Sequence, residues 1–275
     1  MRHVRGVCDV TLSAAWGGRE GAMTDSRDIS PLWYQRSFGA LYPLVYAHRS
    51  PEAAAGEARF AAEAVGLGAG DRVLDLCCGA GRHAAHLLAR TRRVTGLDWS
   101  PELLAAARAG LGGVAALVRG DMRALPFGGV FDVVFNFFTS FGYFADDAEN
   151  ARAAGEMARV LRPGGRLFLD HIGAAWAAAR LVPRSERGQD GLRIVEERWL
   201  DGGDPPARVN KVTTVWRDDA CLGRFPESVR LYTPETLGAV LSGAGLAVER
   251  MFGDYGDLPP GPDAPRLVFV CRKGG

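Results

Sequence analysis

The sequence predicts a doubly wound α/β fold carrying a small antiparallel β insertion, and three observations predict it. Short runs with almost no polar residue, of which Val130 to Phe138 is the clearest, alternate with stretches of helical periodicity. That alternation is the pattern of a parallel sheet covered on both faces. A Gly-x-Gly turn, Gly79-Ala80-Gly81, follows the first such run directly. From residue 192 onward the rhythm breaks into strand-like runs separated by turn residues.

Taken in order, residues 1–24 contain several glycines and no periodicity, and are expected to be a disordered extension. From Ile29 to Ala47, Trp33, Tyr34, Phe38, Leu41, Tyr42, Val45 and Tyr46 recur at helical spacing, giving an amphipathic helix or a helix pair. Good helix formers from Glu52 to Ala64 run on to Gly66, so residues 25–66 are read as a helical lid. The core, residues 67–183, carries strands at Arg72–Cys77, Arg93–Asp98, Val114–Val118, Val130–Phe138 and Arg166–Ile172. Between them lie helices at Arg82–Ala89, after the cap Ser100-Pro101-Glu102, and at Asp146–Leu161, the last ended by Pro163-Gly164-Gly165. Residues 184–232 are expected to form an antiparallel cover, with strands at Arg193–Leu200, Arg208–Trp216 and Ser228–Tyr232. Residues 233–275 close the core with a helix capped by Thr233-Pro234-Glu235 and strands at Leu246–Met251 and Arg266–Cys271.

Composition narrows the function. The chain has 275 residues, 47% of them apolar, and 33 Lys+Arg balance 32 Asp+Glu for a net charge of +1. That is neither the profile of a disordered chain nor the basic excess of a dedicated nucleic-acid binder. No stretch approaches the ~20 apolar residues of a membrane span, and the N-terminus lacks the apolar core of a secretory signal. Five cysteines with no Cys-x-x-Cys pair argue against a disulfide framework or zinc ribbon. A reducing cytoplasm is the expected location. His83 and His86 share a helix face, but no Glu or Cys joins them at ligand spacing, so no metal is expected.

The chemistry is concentrated in Val73-Leu74-Asp75-Leu76-Cys77-Cys78-Gly79-Ala80-Gly81. Gly79-x-Gly81-x-x-Ala84 also fits a dinucleotide fingerprint, and Asp98 at the end of the second strand is a ribose-hydroxyl acceptor in either case. Ligand charge separates the two. A pyrophosphate needs glycine amides with no nearby carboxylate, and Asp75 precedes the first glycine by four residues. A ligand with a sulfonium and an α-ammonium group would use that acid, and Gly120-Asp121-Met122 adds a second carboxylate for an adenine amino group. S-adenosylmethionine is such a ligand; a nicotinamide cofactor is the rival.

The chain resembles the class I S-adenosylmethionine-dependent methyltransferases, in their small-molecule branch. Val73 to Gly81 looks like their first motif, Leu97-Asp98 their second, and Gly120 to Phe127 their adenine-contact segment. Phe131 to Asn136 resembles their fourth strand and Arg159 to Gly165 their turn into the fifth. Val229 to Glu235 looks like small-molecule N-methyltransferases, including those acting on amino-sugars. The resemblance implies a Rossmann-like sheet of seven strands in the order 3-2-1-4-5-7-6. It also implies that Gly79, Gly81 and Cys77 lie along the methionine moiety, with Asp75 toward the ammonium. Asp98 would serve the ribose, Asp121 and Met122 the adenine, and Asn136 the strand end beneath the methyl group, with Trp99 as a further cofactor contact.

Methyl transfer is an in-line displacement, so the protein mainly aligns donor and acceptor and excludes water. His171, after Asp170 at the end of the fifth strand, is the best-placed base, with Tyr143 beside it as a catalytic candidate. The bland alternative for His171 is a strand-end hydrogen bond. Tyr34, Phe141, Tyr143, Arg230 and Tyr232 are the candidate substrate contacts, against the alternative that the aromatics are core and the arginine is solvated. Cys77 and Cys78 also read as small buried hydrophobes. The expected function is a methyltransferase acting on a small-molecule nitrogen, with oxygen second. A nicotinamide oxidoreductase and a non-catalytic cofactor binder are the rivals. Nucleic acid and membrane are not expected as partners, and the chain is expected to be a monomer or homodimer.

Overall fold

The computed structural model describes residues 27–47, 51–203 and 207–275. The expected extension, residues 1–24, lies outside the described residues.

The first segment holds the helix pair of the two expected alternatives, as single-turn helices α1 (Tyr34–Ser37) and α2 (Tyr42–Val45). Gly39 lies between them and Pro43 sits in the first turn of the second. A longer helix, α3 (Pro51–Ala64), leads into the core.

There the chain alternates β1 (Val73–Leu76), α4 (Arg82–Leu87), β2 (Val94–Asp98), α5 (Pro101–Leu111), β3 (Ala116–Arg119), β4 (Phe131–Asn136), α6 (Asp147–Val160), β5 (Leu161–Ile172) and α7 (Ala174–Ala179). The cap read from sequence is present at α5, where Ser100 Oγ accepts the Leu103 amide at 3.1 Å. The fifth strand starts earlier than the Pro163-Gly164-Gly165 turn suggested, because those residues are taken up as an irregularity in its pairing with β4. The short α7 had no counterpart in the sequence reading.

Next come β6 (Arg184–Gln189), β7 (Leu192–Asp201), β8 (Arg208–Arg217) and β9 (Ala220–Arg230), then α8 (Pro234–Gly243), β10 (Leu246–Phe252) and β11 (Arg266–Lys273). The main sheet runs β3-β2-β1-β4-β5-β11-β10, the anticipated order, with β11 antiparallel to both its neighbours. The second sheet has four strands, β6-β7-β8-β9, one more than the sequence suggested. The additional strand, β6, is Arg-Ser-Glu-Arg-Gly-Gln and carries no apolar alternation. It is set by the tight turn Asp190-Gly191, whose φ values of 51° and 73° are those of a type I′ hairpin.

Alternation along the strands divides the core into two layers. Leu167 and Leu169 of β5 join a cluster containing Ala153, Met157 and Leu237 from α6 and α8. Phe168 faces the other side, with Ala61, Leu87 and Ala107 from α3, α4 and α5. Helices therefore cover both faces, and loops at the carboxyl ends of the parallel strands form a cleft. No helix among the described residues is long and apolar enough to cross a membrane.

Candidate active site

Four loops at the carboxyl edge of the sheet line an open cleft. The loop after β1 contributes Cys77 and Gly79, that after β2 Asp98 and Trp99, and that after β3 Gly120, Asp121 and Met122. The β4 loop adds Ser140, Tyr143 and Phe144, and the N-terminal helices close the remaining side with Tyr34, Phe38 and Tyr42.

The β1 turn is tightly determined. Cys77, Gly79 and Gly81 have φ values of 62°, 54° and 81°. Gly81 is needed on two counts, because a Cβ there would also lie 3.0 Å from Leu111 Cδ1. Asp98 fixes the turn from the neighbouring strand. Its Oδ2 accepts the Gly79 amide at 2.8 Å and its Oδ1 the Ser100 amide at 2.9 Å. Each oxygen keeps a lone pair beyond these bonds, and burial raises the carboxyl above its usual range despite them.

Asp75 lies deeper, 1% exposed, with Oδ2 lacking any hydrogen-bond partner. Burial, then the charge of Asp98, pushes its pKa up to about 7. Asn136 is its counterpart on β4. It is fully buried, its amide nitrogen donates to the Leu76 carbonyl at 3.1 Å, and its Oδ1 has no partner. Neither residue lines the cleft wall.

Asp121 faces the cleft but is not a free acid. The Arg123 amide donates to Oδ1 at 2.8 Å and the guanidinium to Oδ2 at 2.6 Å. Burial alone would raise this carboxyl, but the Arg123 bonds and charge outweigh it and hold it below its usual range. Arg123 also pairs with Glu149, donates to the Tyr34 hydroxyl at 3.0 Å, and lies 4.3 Å from the Phe144 ring centroid. One guanidinium thus joins the β3 loop, α6 and the first helical turn.

The opposite wall is aromatic. Phe38 stacks on Tyr143 at 5.7 Å with planes 16° apart, and Tyr42 packs edge-on to Phe38 at 5.2 Å. Burial drives the Tyr143 hydroxyl well above its ordinary pKa and does the same to the Cys77 thiol.

Several expected site residues stand elsewhere. His171 does not reach the cleft: it has no exposed surface and sits behind the β4 loop, its Nε2 3.3 Å from where a Cβ on Gly142 would be. Its Nδ1 lies 3.0 Å from the Ile172 carbonyl, and burial lowers its pKa to about 4. Phe141 is fully buried against Tyr232, which is itself 3% exposed. Arg230 is half-buried and away from the cleft, where its Nε donates to Asp147 at 3.1 Å and its Nη1 to the Ala207 carbonyl at 3.0 Å. Of the anticipated substrate contacts, Tyr34 and Tyr143 line the cleft. Tyr46, on the same aromatic stripe, turns away and donates to Glu227 at 2.7 Å. Phe38, Ser140 and Phe144 line it without having been singled out as contacts. The helical stripe of aromatics was the available signal for Phe38. Among the described residues no cluster of metal-ligating side chains occurs, and His83 instead bonds Glu57 at 2.8 Å and stacks on Phe137.

A phosphate-free adenosine compound carrying an ammonium fits this arrangement. The Asp98 carboxylate is preset by two amides, Gly79 lines the cleft, and Asp75 and Asn136 hold buried oxygens without partners. The family model for a methyltransferase domain matches residues 73–165. The chain is 28% identical over 211 residues to a putative methyltransferase, YqeM, of Bacillus subtilis, covering 74% of this chain and 84% of that one. It is 30% identical over 210 residues to the dTDP-3-amino-3,6-dideoxy-alpha-D-glucopyranose N,N-dimethyltransferase of Streptomyces fradiae, covering 74% and 77%. Among solved structures, SAM-bound CalS10, an amino pentose methyltransferase from Micromonospora echinaspora, superposes with a TM-score of 0.62 at 26% identity, over 85% of this chain and 96% of that one.

Proposed function

The chain belongs to the class I S-adenosylmethionine-dependent methyltransferases, and from that premise we propose that it methylates a nitrogen atom of a small molecule bound against the aromatic wall. The observation that carries this reading is the protonation of that wall. Tyr143 on the β4 loop and Cys77 on the β1 loop, two titratable groups of the cleft, are both held neutral by burial. Neither can take a proton from an incoming hydroxyl at neutral pH. An amine that has given its ammonium proton to water before it binds needs no such base, because its neutral form presents the attacking lone pair and the methylated ammonium product sheds its proton after transfer. The amino-sugar relatives point the same way.

In this reading the bound cofactor supplies a methyl group already activated by its sulfonium. The residues of the chain bind and orient. Asp98 holds the ribose hydroxyls, Trp99, Asp121 and Met122 the adenine, and Gly79 and Gly81 admit the methionine backbone. Asp75 and Asn136 supply the buried oxygens toward its ammonium. Tyr34, Phe38, Tyr143 and Phe144 exclude water and orient the acceptor, with Tyr143 donating its hydroxyl proton in a hydrogen bond. Alignment of this kind contributes roughly 7–11 kcal/mol.

The test is transfer of a labelled methyl group from S-adenosylmethionine to a panel containing a nucleotide-linked amino sugar, 2-phenylethylamine and a phenol. Product mass spectra are expected to place the methyl group on nitrogen. A higher kcat/KM for methylation at oxygen or carbon would overturn the proposal.

A further inference from the structure

Asp170 lies two residues before the end of β5, beside His171, and has no exposed surface, yet its carboxylate is fully engaged. Arg266 donates to its Oδ1 from Nε and Nη2, both at 2.6 Å. The Tyr255 hydroxyl donates to Oδ2 at 2.5 Å, and the Phe138 amide to the same oxygen at 2.8 Å. Its backbone carbonyl accepts the Thr139 amide at 2.9 Å, and Arg266 Nη2 also donates to Thr139 Oγ1 at 3.1 Å.

All of these bonds converge on one turn. Phe138 and Thr139 are consecutive non-glycine residues with φ values of 56° and 60°, a left-handed conformation that side chains with a Cβ avoid. Such strain persists only where surrounding contacts over-determine it. Here the Phe138 ring is also flanked by Arg82 at 4.3 Å and Arg266 at 5.2 Å. The chain leaves the turn directly into Ser140 and Tyr143, both on the cleft wall.

We infer that Asp170 is a positioning residue for the methyl acceptor: by binding the Phe138 amide and the Thr139 amide it holds the left-handed turn that sets Ser140 and Tyr143 against the cleft. The inference rests on the proposed acceptor side of the site. Asp170 makes no hydrogen bond to the loops after β1, β2 or β3, so its effect falls on the acceptor wall and not on the cofactor.

The experiment compares wild type with Asp170→Asn, whose single carbonyl oxygen cannot serve Arg266, Tyr255 and Phe138 together. Hydrogen exchange of the peptide spanning 137–144 is expected to quicken by about tenfold or more. Exchange across 73–81 and 94–98 stays at the wild-type rate, and calorimetry gives a Kd for S-adenosylhomocysteine within about threefold of wild type. Adding Thr139→Gly to that background returns the 137–144 exchange toward wild type, because glycine occupies the left-handed region without a Cβ penalty. Should Asp170→Asn fold poorly, Tyr255→Phe removes one donor to the same carboxylate and gives the same local effect in smaller measure.

Unchanged exchange in 137–144, a rise spread evenly over the sheet, or no restoration by Thr139→Gly would each overturn the positioning role, even where amine methylation is observed. If the turn loosens and is restored as expected while the panel is methylated with higher kcat/KM at oxygen or carbon, the nitrogen reading fails and the positioning role stands for a different acceptor.

Discussion

The Asp98 carboxylate accepts the Gly79 amide at 2.8 Å, so the end of β2 and the turn after β1 form one unit. The same group reaches Ser100 at 2.9 Å, at the start of α5. A side chain that shapes the turn is therefore also the one placed to bind what lies on it.

Asp98→Ala is expected to weaken S-adenosylmethionine binding by about 1.5–3 kcal/mol, through loss of a charged acceptor in a dry site. Two backbone amides are orphaned as well, so the turn loosens. Asp98→Asn, which retains one acceptor oxygen, is expected to lose less. Calorimetric titration checks this, and an unchanged Kd in the alanine variant would remove Asp98 from the ribose site.

Gly96, in the middle of β2, is required by space and not by dihedral angle. A Cβ there would lie 2.8 Å from Cys78 Sγ and 2.9 Å from Leu117 Cδ2. Gly96→Ala is expected to destabilise the fold by about 1–3 kcal/mol through overpacking, seen as a lowered Tm in thermal unfolding. Pairing it with Cys78→Ala removes one of the two clashes and is expected to recover part of the loss. A Tm equal to wild type in the single variant would mean the strands β1 and β3 yield more readily than their contacts indicate.

Locality separates what the sequence disclosed from what it concealed. Asp98, Gly79 and Met122 were legible because a parallel strand delivers the residue after its carboxyl end to one edge of the sheet, and that edge carries the cleft. His171 satisfies the same rule and still misses, because strand position fixes the edge but not which side of the β4 loop a ring falls on. Arg230 looked solvated by alternation; its partner Asp147 is 83 residues away. The strand β6 escaped notice because its alternation is polar throughout, although the Asp190-Gly191 turn that sets it was present in the sequence. Asp170 was noted only as the neighbour of His171, since its donors come from residues 138, 255 and 266.

Stability is expected to rise with pH between about 4 and 6.5. Burial holds His83 and His171 near a pKa of about 4, against 6.5 when exposed. The unfolded chain thus binds two more protons in that window, and these contributions are present above 6.5 and lost as the pH falls toward 4. Asp75 acts in the opposite sense, because its folded pKa of about 7 lies above its reference of 3.8. For these three groups the net difference is roughly one proton, a slope of about 1.4 kcal/mol per pH unit, which the raised Asp98 carboxyl lowers at the acid end of the window. Asp75→Asn removes the opposing group and is expected to steepen the dependence. Urea unfolding across this range checks both, and a flat profile would mean that one of the histidines is protonated in the folded state.

The raised Asp75 also makes cofactor binding a proton-linked event under its proposed role. At neutral pH this buried carboxyl is about half protonated, given its pKa of about 7. An ammonium group brought toward its unpartnered Oδ2 favours the ionised form, so binding releases a proton. Affinity for S-adenosylhomocysteine is then expected to increase about tenfold between about pH 6 and pH 8. Calorimetry in buffers of different ionisation enthalpy would register the released proton directly. In Asp75→Asn the dependence is expected to vanish, with weaker binding throughout. A wild-type Kd that does not change over the range would leave Asp75 as a support beneath the glycine turn and take the ammonium away from it.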